Sequence, residues 1–148
     1  MDYNRFLQEN QILDHYVKNK SSYQFGNLNS SCPYLRIAAR TQNGNGYVLH
    51  FTLRNYPNEK PNVYVECMLR DCHGHLMNQP NAANHTLEPH PNGWTQICHY
   101  HPSAWKPGLT LWLVYIRCVL WLNIYEQTKR TGKDMQYYLS HMGENYQY

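Results

Sequence analysis

Within eighteen residues the chain places an amide, a thiol and a rigid tryptophan–proline corner: His90-Pro91-Asn92, then Ile97-Cys98, then Trp105-Lys106-Pro107. Pro91 and Pro102 fix the backbone on either side of Cys98. Asn92 carries two N–H donors and is followed by Gly93, a pair suited to a turn. A thiol beside a preorganised donor is what thioester-based acyl transfer requires. Cys98 as nucleophile stands against Cys98 as a packing cysteine, the commoner fate of a free thiol. Asn92 as oxyanion donor stands against Asn92 bonded to its own turn. His99 and His101 follow the cysteine at alternate positions, which in extended chain share a face. They are candidates to favour the thiolate, deprotonate an incoming amine or touch a partner, set against two solvated histidines.

Cys67, Cys72, His73, His75, His85, His90, Cys98, His99 and His101 form a dense pool of metal-ligand types. No Cys-x-x-Cys occurs, and Cys72 with His75 is the nearest substitute, so no metal site and no cofactor is expected. Thirteen basic and ten acidic residues give a formal charge of +3, too mild and too scattered to favour nucleic acid or an anionic membrane. The first twenty residues are polar and show no secretory leader. The most apolar run, Leu109–Leu122, contains Arg117 and is short for a membrane span. Five irregularly spaced cysteines then suggest reduced thiols in a cytoplasmic protein.

The elements that must position Cys98 are legible in outline. Phe6, Leu13, Tyr16 and Val17 predict a helix from residue 3 to about 18. The Ser- and Asn-rich stretch 21–33 predicts a loop. Alternating patterns predict three strands through Leu35–Ala39, Tyr47–Leu53 and Val63–Leu69, with Cys67 facing inward. Asn43-Gly44-Asn45-Gly46 predicts a hairpin between the first two. Pro57 and Pro61 rule out a tight hairpin before the third. Residues 71–108 hold five of the eight prolines and predict a long functional loop. Leu109–Gln127 predicts a buried helix that is apolar nearly all round, and Lys133–Met142 a second one behind Gly132. The sum is an α+β fold in a single domain spanning 1–148.

In this order the features resemble the ubiquitin-conjugating enzyme family. Tyr56-Pro57-Asn58-Glu59-Lys60-Pro61 is similar to its Tyr-Pro-x-x-Pro-Pro segment, with Lys60 replacing a proline. His90-Pro91-Asn92 ahead of Gln96-Ile97-Cys98 resembles its His-Pro-Asn and Gly-x-Ile-Cys motifs. Trp105-Lys106-Pro107 resembles its Trp-x-Pro before an apolar helix. The resemblance covers nearly the whole chain. It departs in a shorter loop between His-Pro-Asn and the cysteine, and in His99-Tyr100-His101 after it. Those departures resemble a divergent, prokaryotic member.

The resemblance implies an N-terminal helix, an antiparallel meander, an active-site loop and C-terminal helices. It implies that Cys98 carries a protein C-terminus as a thioester and passes it to a lysine. Asn92 would stabilise the oxyanion, worth about 3 kcal/mol in comparable sites. His90, Pro91, Trp105, Pro107, Tyr56 and Pro57 would hold the loop without doing chemistry. Implied partners are an activating enzyme or other thioester donor and a ubiquitin-like protein. Bacterial relatives occur in antiphage defence operons, some beside a cyclic-nucleotide synthase. Two alternatives stay open: a non-catalytic module of this fold that binds ubiquitin-like proteins, and a papain-like hydrolase. The second fits poorly, because such a cysteine begins a helix and Cys98 precedes a proline-containing loop.

Overall fold

A computed structural model describes residues 1–141. The fold mixes α and β, with a six-stranded sheet in the order β1-β2-β3-β4-β6-β5 and every neighbouring pair antiparallel. Helix α1 is Tyr3–Tyr16, begun by Asp2, whose carboxylate accepts the Arg5 N–H at 2.8 Å. Strands β2 (Tyr34–Arg40) and β3 (Gly46–Thr52) form the expected hairpin. Gly44, at φ +85°, supplies the turn conformation that its sequence anticipates. Along β2 the burial alternates strictly, with Leu35, Ile37 and Ala39 inside.

Two expectations for the sheet are corrected. The stretch 21–33 is not all loop: Tyr23–Gly26 forms β1 along the edge of β2. Tyr23 and Phe25 alternate with Gln24, and Phe25 packs edge-on against Phe6 of α1 at 5.1 Å. The third predicted strand, β4, is only Asn62–Val65. The chain bends sharply after it, with the Cys67 N–H bonded to the Val65 carbonyl at 2.6 Å. That bend breaks the period-two count, so Cys67 is exposed rather than inward. The long loop contains two further strands, β5 (Thr86–Leu87) and β6 (Gln96–Ile97), too short for a periodicity to register.

The main helix, α2, is Leu111–Thr131. Thr110 caps it by accepting the Leu113 N–H, and Gly132 ends it in a left-handed conformation at φ +77°. It packs Leu111, Val114, Cys118, Trp121 and Leu122 into the core with Leu35, Leu49, Phe51, Val63 and Ile97 of the sheet. The helix is not buried all round: Leu113 and Ile116 lie on an exposed face. Helix α3 begins at Met135 and runs to His141, burying Met135 and Leu139. Met142 and the tail tyrosines Tyr146 and Tyr148 lie outside the described residues. Among the described residues no helix is long and apolar enough to cross a membrane.

Candidate functional site

Cys98 leaves the end of β6, which lies between β4 and β5. Val63 pairs with Ile97, so the next register position sets Asn62 opposite Cys98. The Cys98 N–H donates to the His85 carbonyl at 3.0 Å, and the same carbonyl accepts the Trp121 indole N–H at 3.2 Å. His85 itself sits at φ +51°, an uncommon backbone for a side-chain-bearing residue. Its Nε2 is 2.7 Å from Gln136 Oε1, tying the loop to α3. The backbone beneath the thiol is thus fixed by the central tryptophan of α2 and by a strained residue, neither of which carries a motif.

The residues after Cys98 are separated by the strand's parity. Ile97 faces the core, and His99, two residues on, is buried with it at 1 % exposure. His99 Nε2 donates to the Pro61 carbonyl at 2.7 Å, and its Nδ1 is buried without a hydrogen-bond partner. Burial and the nearby Lys60 and Arg117 cations push the imidazole down to about 3. His101 is exposed and serves the short 3-10 helix Pro102–Ala104, with Nδ1 accepting the Ser103 N–H at 3.2 Å. The expected common face of His99 and His101 does not form. The chain leaves the extended conformation at Tyr100, and one imidazole goes in while the other stays out. His99 is a neutral wedge between β6 and the Pro61 segment, not a cation beside the thiolate.

Asn92 does not stand over Cys98 either. Residues 90–93 close a tight turn: the Gly93 N–H donates to the His90 carbonyl at 2.7 Å, with Gly93 at φ +87°. From Trp94 the chain runs extended to Cys98, about 13 Å of strand rise. The turn and the thiol therefore occupy opposite ends of β6, because the short loop leaves no slack to fold back. His90 anchors that turn as expected, with Nδ1 accepting the Asn92 N–H at 3.0 Å and its ring stacked on Trp94 at 4.7 Å. Tyr64 meets the same imidazole edge-on at 5.0 Å.

The residues expected to frame the loop do meet. Trp105 donates its indole N–H to the Pro57 carbonyl at 2.8 Å and lies 6.0 Å from the Tyr56 ring. The Tyr56 hydroxyl is buried between Glu9 and Arg5 of α1 and the Leu109 carbonyl. Arg5 also donates to the carbonyls of Pro107 and Leu109, at 2.6 and 2.8 Å. Glu9, 1 % exposed, pairs with Arg5 at 2.9 Å and accepts the Leu111 N–H at 3.0 Å. Sequence reasoning missed this ion pair. Its signal is an Arg and a Glu at i, i+4 on the buried side of a predicted helix. Arg117 completes the frame, with its guanidinium 3.9 Å from the Tyr100 ring centre and a hydrogen bond to the His99 carbonyl.

Among the described residues, Lys60 is the charged group whose field bears on the thiol. Burial lowers the Lys60 ammonium from its ordinary range, while the Cys98 and Cys118 sulfurs pull it back up. Burial raises the Cys98 thiol, and Lys60 opposes that rise. Lys60 lines a cavity of about 360 Å³ with Tyr34, His50, Arg54, Asn62 and His90. A hollow on its other side is lined by Pro102 and Trp105. Among the described residues no group of three or more His, Cys, Asp or Glu side chains could hold a metal ion. Cys72 reaches instead towards the Gly132 carbonyl, and His75 towards Asp71. Compared with models of known families, with curated proteins and with solved structures, the chain matches none.

Proposed function

We propose that the protein carries an acyl group, the C-terminus of a ubiquitin-like or other protein, as a thioester on Cys98 and transfers it to a lysine amine. The observation that carries this reading is a half-buried thiol on a braced backbone, where the Lys60 cation opposes the rise that burial imposes on it. Burial of the sulfur suits a thioester, since it limits attack by water while the amine is delivered. The frame of Tyr56, Pro57, Trp105 and Pro107 around α1 and α2 supports it, because acyl transfer needs a rigid loop. With Asn92 distant, Asn62 is the amide that register sets opposite Cys98 as a donor for the developing oxyanion. An activating enzyme or other thioester donor, a ubiquitin-like carrier and a place in a bacterial antiphage operon, some of which hold a cyclic-nucleotide synthase, belong to the same proposal. So does a cytoplasmic location.

A second reading is a module of the same architecture that binds a ubiquitin-like protein without carrying it. The separation of Asn92 from Cys98 and the neutral, buried His99 favour it. Intact mass of the Cys98→Ser protein, purified after co-expression with its genomic neighbours, decides between them. Serine would hold the acyl group as a slower-exchanging ester. A protein-sized mass increase on the serine supports acyl transfer, and its value identifies the carrier. Non-covalent co-purification of a ubiquitin-like protein with no adduct on either form supports the binding module.

A further inference from the structure

The cavity of about 360 Å³ has no part in the chemistry proposed for Cys98. Tyr34 and His50, which line it, alternate with the buried Leu35, Leu49 and Phe51, so it opens on the sheet face turned away from α2. Its two walls differ in kind, and the first is aromatic. The Tyr34 ring lies against Gly26 of β1, which has no side chain to displace it, and stacks on His50 at 5.1 Å. His90 stands 6.3 Å from His50 along the same wall. Burial holds the His50 imidazole below its ordinary range although Glu66 pulls it up. His90 accepts the Asn92 N–H through Nδ1, which leaves Nε2 as the donor of a neutral ring.

The second wall is cationic, formed by Arg54 and Lys60 from the loop between β3 and β4. Of the seven arginines in the chain, six hydrogen-bond to described residues. Arg54 makes no hydrogen bond or ion pair with a described residue, and neither does the half-buried Lys60. Glu59 also lines the cavity, with its carboxylate accepting the Asn55 side-chain N–H at 3.0 Å. Two cations on one small cavity repel each other, and a partly desolvated ammonium gains most from an anion that meets it there. A carboxylate brings one charge and leaves one cation unmatched. A phosphate monoester brings nearly two, on three acceptor oxygens that suit a guanidinium fork beside an ammonium. The volume is at the small end of ligand cavities, roughly 300–1,000 Å³, which suits one ring system with its phosphate. We propose that this cavity binds a phosphate monoester of a flat ring, with the phosphate held by Arg54 and Lys60 and the ring against Tyr34 and His50.

The site stands apart from the acyl-transfer reading and survives its loss. Isothermal titration calorimetry of the full chain in a phosphate-free buffer tests it, with phenyl phosphate as the probe. Benzoate keeps the ring but carries one charge, and glycerol 3-phosphate keeps the phosphate but has no ring. Phenyl phosphate should bind about 10-fold more tightly than either. Arg54→Gln, at an exposed position, should weaken it by about 10-fold or more, and Arg54→Lys by less. Lys60→Gln should weaken it too, whereas Lys18→Gln, which removes the same charge from the exposed position after α1, should not. Tyr34→Leu should narrow the preference for phenyl phosphate over glycerol 3-phosphate. Where a Lys60 or Tyr34 variant loses its near-ultraviolet circular dichroism, Arg54→Gln decides alone. The absence of binding at millimolar phenyl phosphate overturns the site, as does an equal loss in Lys18→Gln and Arg54→Gln. Benzoate bound as tightly as phenyl phosphate overturns the phosphate, and glycerol 3-phosphate bound as tightly overturns the ring.

Discussion

His99 shows how one residue's environment decides what it can do. An imidazole next to a cysteine suggests a base, yet here it is closed off with a single hydrogen bond to Pro61. Because its folded value lies near 3, below the ordinary 6.5, the unfolded chain binds a proton that the folded one refuses. The stability that follows is fully present above about pH 6.5 and is lost as pH falls towards 3, at up to about 1.4 kcal/mol per pH unit for one proton. Urea denaturation across that range should show a shallower fall for His99→Gln than for the parent. Glu66 and Asp71 also weaken the fold on acidification, because Arg36 and backbone N–H groups, respectively, hold their carboxyls low. A parallel slope in the two proteins would mean that His99 is charged in the fold. The candidate residues Cys98, Asn92, His99 and His101 could be named from the sequence, but their mutual geometry could not. Strand parity and the length of β6 decide it, and a two-residue strand leaves no periodic trace.

Among the elements, the turn between β2 and β3 was legible from Asn43-Gly44-Asn45-Gly46 alone, but what the turn docks on was not. Glu126, in the C-terminal half of α2, accepts hydrogen bonds from Asn43 (3.0 Å), Asn45 (2.9 Å) and the Tyr47 hydroxyl (2.7 Å). Asn123 on the same helix accepts the Gln42 N–H at 2.8 Å. A helix that reads as apolar nearly all round thus carries a polar clasp, and the Glu126 carboxyl stays ionised because those partners hold it low against burial. Removing the clasp in Glu126→Ala should cost about 2 kcal/mol, since three donors lose a charged acceptor. Amide exchange at Gly44 and Asn45 should accelerate in that variant more than exchange in β3. The edge strand β1 went unread because Phe25 packs on Phe6 and Tyr23 reaches Asn10, both on a helix more than ten residues earlier.

At the scale of the whole molecule, the five thiols sample every depth of the structure. Cys32 and Cys67 are exposed, Cys72 and Cys98 intermediate, and Cys118 lies at the centre of the core against the sheet. In native protein a thiol reagent should modify Cys118 only through global unfolding, at a rate that follows denaturant concentration. Labelling of Cys118 at the rate of Cys72 would instead reveal a local opening of α2. The α+β architecture and the position of the core followed from alternation and from one long apolar helix. The knot that gathers them did not, since Arg5 and Glu9 find Tyr56, Pro107, Leu109 and Leu111 only in three dimensions.

That knot has a consequence for the order in which the chain can mature. Arg5 bonds across 102 and 104 residues to Pro107 and Leu109, so the corner behind Cys98 cannot close until nearly the whole polypeptide exists. The meander needs no such wait, because each of β1 to β4 pairs with its neighbour in sequence. A chain clipped of α1 should keep its sheet pairing yet leave the cysteine loop slack. Supplying Tyr3–Tyr16 as a separate peptide is then a way to tighten that loop at will, making the first helix a detachable key rather than a mere lid on the core.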